Sequence, residues 1–145
     1  MANSLMTLAP TSRNSPRIST EMLDNRDHYP VMDGKNIFKM AVRLLPEVAL
    51  ESLKMAGLEK EDVTLYIPHQ ANMRINQFFQ QAMKLPEEKV FHNIQRYGNT
   101  TAATIPIALD EAMEMDLLGK AGDITMFLGL GSGVTWGSVV YRFPR

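Results

Sequence analysis

The sequence lacks cysteine altogether and has little of several other features that would place it in a special class. Without cysteine, its 145 residues can form no disulfide bond, thiolate metal site or cysteine nucleophile. Only three histidines are present, and they are scattered, so we expect no bound metal. No apolar run approaches the roughly 20 residues of a membrane-spanning helix. The formal net charge of -1 is unlike the basic balance of a general nucleic-acid binder. These absences predict a cytoplasmic protein that binds neither nucleic acid nor membrane.

The residues that are present have the composition of a globular protein, with 45% hydrophobic and 21% charged side chains. Apolar patterns alternate between strand and helix, and the last two strands are consecutive. The predicted strands cover residues 4–8, 63–67, 90–93, 124–128 and 136–143. The predicted helices cover residues 37–56, after a turn at 33–34 and before Gly57, then 71–85 and 100–115. The fold class is therefore predicted to be α/β, with a layered mixed sheet, helices on its faces and a final hairpin.

Local signals add detail to this prediction. Residues 1–33 are rich in polar residues and proline, and we expect an extended lead-in with one short strand, followed by a domain over 34–145. Pro46 should bend the first helix or divide it in two, and Pro106 should distort the first half of the third, which a Thr or Asn caps. The apolar face predicted for the second helix comprises Ala71, Ile75, Phe78, Phe79 and Ala82.

One stretch, LYIPHQANMRIN over residues 65–76, joins a strand to a helix. Pro68 has no N–H to donate to a sheet, so it should end the strand and leave His69 at the carboxyl edge, where α/β proteins bind ligands. Taken alone, a histidine at such a junction is more often a structural group. Asn99, which follows Gly98, is by itself more often a turn residue.

Two further segments favour functional over purely structural roles for His69 and Asn99: NIQRYGNTTAA over residues 93–103 and GLGSGVTWG over 129–137. In this order and spacing, the three segments resemble the C-terminal half of beta-ketoacyl-acyl-carrier-protein synthase III, the thiolase-fold condensing enzyme that starts bacterial fatty acid synthesis. The resemblance extends from about residue 5 to 143. It implies the C-terminal half of a thiolase-like fold. The family's nucleophilic cysteine belongs to an N-terminal half, so this chain alone is expected to be inactive, whether it is a fragment, a split-gene product or an independent protein.

The resemblance assigns roles to individual residues. His69 and Asn99 would donate hydrogen bonds to the enolate oxygen that forms when malonyl thioester loses carbon dioxide. The backbone of Gly131, Ser132 and Gly133 would form one side of an oxyanion hole, although an ordinary hairpin turn is the simpler alternative. Many family members have glycine or alanine where this chain has Ser132, which predicts a backbone conformation that serine tolerates less readily.

The resemblance also implies partners. Asn72 and Arg74 match positions near the pantetheine channel and its mouth. Lys35, Lys39 and Arg43 form a cationic stripe on the first helix, which is usually only a solvated face. We expect Lys39 and Arg74 to contact the acidic acyl carrier protein. The expected ligands are coenzyme A and phosphopantetheine thioesters, including an acyl-CoA starter, with no permanently bound cofactor. The other expected partners are the N-terminal half and, for the full protein, a second copy in a homodimer.

Two alternatives stay open. The chain could be a carrier-binding or interaction module without catalysis, although an intact His69 and Asn99 argue against this. It could instead act on other substrates, because polyketide synthases and hydroxymethylglutaryl-CoA synthase share the fold. The motifs HQANMRIN and GNTTAA favour synthase III. A chain that corresponds to half of a fold should also expose an apolar face and associate with itself.

Overall fold

A computed structural model describes residues 4–144, which form two compact units. One unit contains the chain up to Met40 together with Gly131–Thr135, and the other contains Ala41–Leu130 and the chain from Trp136 onward. The strands are β1 (Leu5–Thr7), β2 (Pro30–Met32), β3 (Leu65–Pro68), β4 (Ile124–Gly131) and β5 (Thr135–Arg142). The α-helices are α1 (Thr20–Asp24), α2 (Gly34–Ala56), α3 (Met73–Met83), α4 (Ile94–Tyr97) and α5 (Thr104–Glu114). Single 3₁₀ turns cover Lys60–Asp62, Glu87–Lys89 and Thr101–Ala103.

The lead-in contains more structure than the single predicted strand. The β1 strand pairs with β2 in an antiparallel ladder from Leu5 opposite Met32 to Thr7 opposite Pro30. Between them, α1 begins after Ser19, whose hydroxyl accepts a hydrogen bond from the backbone of Met22. The prediction of one strand and otherwise extended chain was therefore wrong for α1 and β2. Their short sequences carry too little periodicity to be recognised without the pairing partner. The domain boundary at residues 33 and 34 stays a prediction.

The α2 helix confirms the predicted long amphipathic helix. It is continuous through Pro46, so the alternative of two separate helices was wrong. Its inward side places Ala41, Leu45 and Ala49 one turn apart, and all three are buried. The helix ends before Gly57, whose φ of +65° is the left-handed conformation that glycine adopts readily at a helix end.

The second unit is built on a three-stranded sheet in the order β3, β4, β5. The β3 and β4 strands are parallel, with Leu65 opposite Thr125 and Pro68 opposite Leu128. Only three residues separate β4 from β5, and a connection this short permits only an antiparallel neighbour. The sheet is therefore mixed, as predicted. Every residue of β3 is buried, whereas β5 is largely exposed.

The segment after Val90 is not the strand that was predicted. It forms one isolated parallel bridge, Tyr66 to Val90, with the Phe91 N–H donating to the Tyr66 carbonyl at 2.9 Å. The ladder ends there because the backbone N–H two residues on, that of Asn93, binds the Gln70 side chain, and α4 begins at Ile94. The sequence analysis missed α4.

The predicted third helix begins later than expected. Residues 101–103 form a 3₁₀ turn, and α5 starts at Thr104 after Ala103, which offers no side-chain cap, so the prediction of a Thr or Asn cap was wrong. Pro106 is the third residue of α5. Its missing N–H falls in the first turn, where backbone donors have no partner within the helix. The proline therefore fits the helix instead of distorting its first half.

The buried face of α3 differs from the predicted one. Ile75, Phe79 and Met83 are buried one turn apart, whereas Phe78 is 48% exposed and Ala82 is also exposed. The helix begins at Met73 behind its cap, so Ala71 lies outside it and does not define its face. No helix within residues 4–144 is long and apolar enough to cross a membrane.

Candidate functional site

His69 lies immediately beyond the carboxyl end of β3. Its backbone N–H donates to the Leu128 carbonyl at 2.7 Å, which extends the parallel pairing with β4 by one hydrogen bond. Pro68 is the last residue of the strand, as predicted, although the pairing continues one residue past it. His69 therefore leaves the sheet at the edge where parallel strands present their ligands.

The His69 imidazole is held from α5. Its Nδ1 is 2.5 Å from the hydroxyl oxygen of Thr104, a residue that is only 3% exposed. The ring is half-buried, and burial lowers the pKa of His69 below its ordinary value of 6.5 because a charged imidazolium loses solvation there. At neutral pH the ring is consequently uncharged and carries one N–H.

Small side chains bring Thr104 to this position. Thr104, Ala108 and Ala112 are spaced four residues apart on α5, and all three are buried. The two alanines pack in the apolar cluster that contains Leu65 and Ile67 of β3. Because their side chains are single methyl groups, the helix backbone can lie close to the strand. The first turn of α5 then reaches the residue that follows β3.

Asn99 lies on the exposed turn before α5. Its side-chain Oδ1 accepts a hydrogen bond from the Thr101 backbone N–H at 2.9 Å. This bond fixes which end of the amide faces the backbone, so the Nδ2 donor is directed elsewhere. Thr101 has a φ of +55°, an unusual conformation for a β-branched residue. Strain of this kind persists only where the surroundings impose it, and it is frequent at functional sites.

Gln70, the neighbour of His69, is almost completely buried and bound on three sides. Its Nε2 donates to the Pro68 carbonyl at 2.7 Å and to the Phe91 carbonyl at 3.2 Å. Its Oε1 accepts from the Asn93 N–H at 3.3 Å. The side chain therefore ties the end of β3 to the segment that leads into α4.

Three more residues continue this network toward α4 and α5. The Asn93 amide donates from Nδ2 to Glu111 Oε2 at 2.8 Å, and Glu111 forms an ion pair with Arg96. Glu111 is 8% exposed. The network links the end of β3, beside His69, to α4 and α5, the helices on either side of Asn99. It was not predicted from the sequence. The signal for it in the sequence was a carboxylate, Glu111, beside Ala112 on an apolar helix face.

The loop of Gly131, Ser132 and Gly133 belongs to the other compact unit. The Thr135 hydroxyl donates to the Ser132 carbonyl at 3.2 Å. Ser132 is not among the described non-glycine residues with positive φ, so the prediction of a less tolerated backbone at this serine was wrong. The unusual conformation falls instead on Gly133, whose φ is +121°.

The predicted pantetheine and carrier residues are exposed. Asn72 caps α3, with its Oδ1 accepting from the Arg74 N–H at 2.9 Å, so it also has a local structural role. Arg74 and Lys39 are exposed, and neither takes part in the two ion pairs found within residues 4–144. The same residues contain no group of three or more side chains suited to holding a metal ion.

Comparisons with known proteins agree with this architecture. Residues 53–143 match the family model described as 3-oxoacyl-[acyl-carrier-protein (ACP)] synthase III C terminal. A beta-ketoacyl-[acyl-carrier-protein] synthase III of Aquifex aeolicus is 49% identical over 115 residues, which are 79% of this chain and 37% of that protein. One from Geobacillus kaustophilus is 46% identical over 120 residues, covering 83% of this chain and 38% of the relative.

Solved structures show the same relationship. The 3-oxoacyl-(acyl carrier protein) synthase III of Pseudomonas aeruginosa PAO1 superposes with a TM-score of 0.83 at 35% identity, over 99% of this chain and 41% of that one. The Thermus thermophilus synthase III gives a TM-score of 0.84 at 35% identity, over 98% of this chain and 42% of that one. The chain thus spans well under half the length of its relatives. It belongs to the 3-oxoacyl-[acyl-carrier-protein] synthase III family and matches that family's C-terminal part.

Proposed function

We propose that this chain supplies the decarboxylation half of a condensing enzyme that joins an acyl-CoA starter to malonyl-acyl carrier protein. In this proposal His69 and Asn99 donate hydrogen bonds to the enolate oxygen formed as the malonyl group loses carbon dioxide. The observation that supports the proposal is that each donor side chain has a hydrogen-bond partner: His69 has Thr104 at the start of α5, and Asn99 has the Thr101 backbone in the preceding 3₁₀ turn.

The chemistry requires donors that do not have to reorganise as charge develops. An uncharged imidazole, favoured by the lowered pKa of His69, can donate an N–H without giving up its proton to the enolate. The amide of Asn99 cannot ionise at working pH, so it is a donor only. In this proposal the nucleophile comes from the N-terminal half of the enzyme, because this chain has no cysteine. Alone, the chain does not condense its substrates.

The carrier surface in this proposal includes Arg74 and Lys39, two exposed cations without an ion pair within the described residues. An acidic carrier protein would be attracted to such groups, and its phosphopantetheine arm would pass Asn72 on the way to His69. The loop of Gly131, Ser132 and Gly133 contributes backbone donors to the oxyanion of acyl transfer.

The test uses a chimera in which this chain replaces the C-terminal part of the Aquifex aeolicus relative. Release of carbon dioxide from malonyl-acyl carrier protein is measured directly. Substitution His69→Ala or Asn99→Ala should each lower the rate by about 10²- to 10³-fold. His28→Ala, at an exposed histidine, is the matched control and should leave the rate unchanged.

Three results would contradict the proposal. The first is a folded wild-type chimera with no condensing activity, and the second is full activity after His69→Ala. The third is condensation by the 145-residue chain without any N-terminal half.

For the carrier surface, Arg74→Glu should raise the KM for malonyl-acyl carrier protein but not for malonyl-CoA. The same charge reversal at Lys120, an exposed cation four residues before β4, should change neither KM.

A further inference from the structure

The buried hydroxyl of Thr104 has one hydrogen-bond partner within the part of the chain that the structure describes, and that partner is His69. The distance between the Thr104 oxygen and His69 Nδ1 is 2.5 Å, and Thr104 is 3% exposed, so water offers little alternative. The Thr104 hydroxyl therefore depends on His69 for its hydrogen bond.

The direction of this hydrogen bond follows from counting donors and acceptors. A hydroxyl has one proton to donate, whereas its oxygen can accept two hydrogen bonds. If His69 donated from Nδ1, the Thr104 proton would have no acceptor, and an unpaired buried donor costs about 1 to 3 kcal/mol. If Thr104 donates to Nδ1, every buried group in the pair is satisfied. The ring proton then resides on Nε2, the ring nitrogen that does not contact Thr104.

We propose that Thr104 is a positioning residue that fixes the neutral His69 ring in the tautomer with its proton on Nε2. The inference rests on the proposed function, in which that N–H is one of the two enolate donors. Thr104 itself does not touch the substrate. Its contribution is to hold the ring through Nδ1 and to keep an N–H, rather than a lone pair, on Nε2.

The test is a measurement of the ring nitrogens by NMR on the ¹⁵N-labelled 145-residue chain at neutral pH. In a neutral histidine the protonated and unprotonated nitrogens have widely separated shifts, so the tautomer is read directly. We expect Nε2 of His69 to be protonated and Nδ1 to be unprotonated in the unmodified chain. Protonation at Nδ1 would overturn the inference without any variant.

The variants separate positioning from simple support of the fold. Thr104→Val keeps the shape but removes the hydroxyl, and the ratio of Nε2–H to Nδ1–H forms should fall roughly fivefold, as expected for one lost hydrogen bond. Thr104→Ser should retain the wild-type ratio. The matched control is Thr125→Val, which removes a buried hydroxyl bound to the Leu65 carbonyl at 2.9 Å and should leave the His69 ratio unchanged.

An unchanged ratio in Thr104→Val, or an equal change in Thr125→Val, would refute the positioning role. If the valine variant does not fold, the unmodified chain and Thr104→Ser still decide the tautomer. The measurement needs no substrate and no N-terminal half. A failure of the proposed function therefore appears in the chimera assay, and a failure of this inference appears in the ring shifts.

Discussion

Replacing Glu111 by alanine should destabilise the chain far more than the same change at a surface carboxylate. The change removes the acceptor for the Asn93 amide, which is 2% exposed and would lose the partner of its Nδ2. An unpaired buried amide costs about 1 to 2 kcal/mol, and the small cavity left by the side chain about 1 more. Arg96 is half-exposed, so its lost ion pair is largely offset by rehydration and adds only about 0.5 kcal/mol. The expected loss in unfolding free energy is about 3 kcal/mol.

Urea denaturation measures this loss as a shift in the unfolding midpoint. With a urea dependence of about 2 kcal/mol per molar, the midpoint for Glu111→Ala should fall by roughly 1.5 M. Glu111→Gln keeps an acceptor for Asn93 and should lose only about 1 kcal/mol. Glu114→Ala on the same helix is the matched control, since that side chain is exposed, and should stay within about 0.5 kcal/mol. Equal midpoint shifts at Glu111 and Glu114 would refute the reasoning.

Three further predictions follow from the same structure. Burial lowers the pKa of both His69 and His92 in the folded state, so the unfolded chain binds more protons as pH falls below about 6.5, and stability decreases there. The decrease should be smaller in His69→Gln than in the unmodified chain when midpoints at pH 7 and pH 5 are compared, and equal decreases would contradict this cause. Burial also raises the pKa of Tyr66 to about 12, with Glu61 adding to the shift, so spectroscopic titration of the folded chain should show this tyrosine still protonated at pH 11. Gly133→Ala, at a φ of +121°, should cost about 1 to 3 kcal/mol in thermal unfolding, and no change would mean that the loop rearranges freely.

The exposed face of β5 leads to a prediction about association. Val139 and Tyr141 lie two positions apart, so they share one face of this edge strand, and both are exposed. Trp136 is exposed on the opposite face. Apolar side chains arranged in this way favour contact with another surface. Sedimentation should show concentration-dependent association that Val139→Lys weakens, with Lys120→Ala as a surface control. A stable monomer at all concentrations would contradict this expectation.

Long periodic segments were predicted well because their pattern alone specifies them. The α2 helix has enough turns for its apolar stripe to be unmistakable, and β4 is a continuous apolar strand flanked by glycines. The parallel pairing that places His69 at a strand end is consistent with the long helical connection, α3 to α5, between β3 and β4. The three motifs identified the family, which the comparisons confirmed.

The short elements were predicted poorly because their conformation depends on distant partners. The pairing of β1 with β2 joins residues more than 20 positions apart, and the strand expected after Val90 ends when Asn93 binds Gln70. A propensity pattern over three or four residues cannot anticipate either contact. The start of α5 was missed for a local reason, since Asn99 binds the backbone of Thr101, two residues on, instead of capping the helix.

The sequence by itself determined the alternating helices and strands, the family and the candidate donors His69 and Asn99. Only the tertiary structure decided how His69 and the neighbouring Asn93 are held, because their partners Thr104 and Glu111 lie 35 and 18 residues away along the chain. Such side-chain contacts depend on the packing of α5 against β3 through Ala108 and Ala112. Local sequence specifies which face of a helix is apolar. The element that packs against that face decides side-chain contacts such as the one between the Thr104 hydroxyl and the His69 ring.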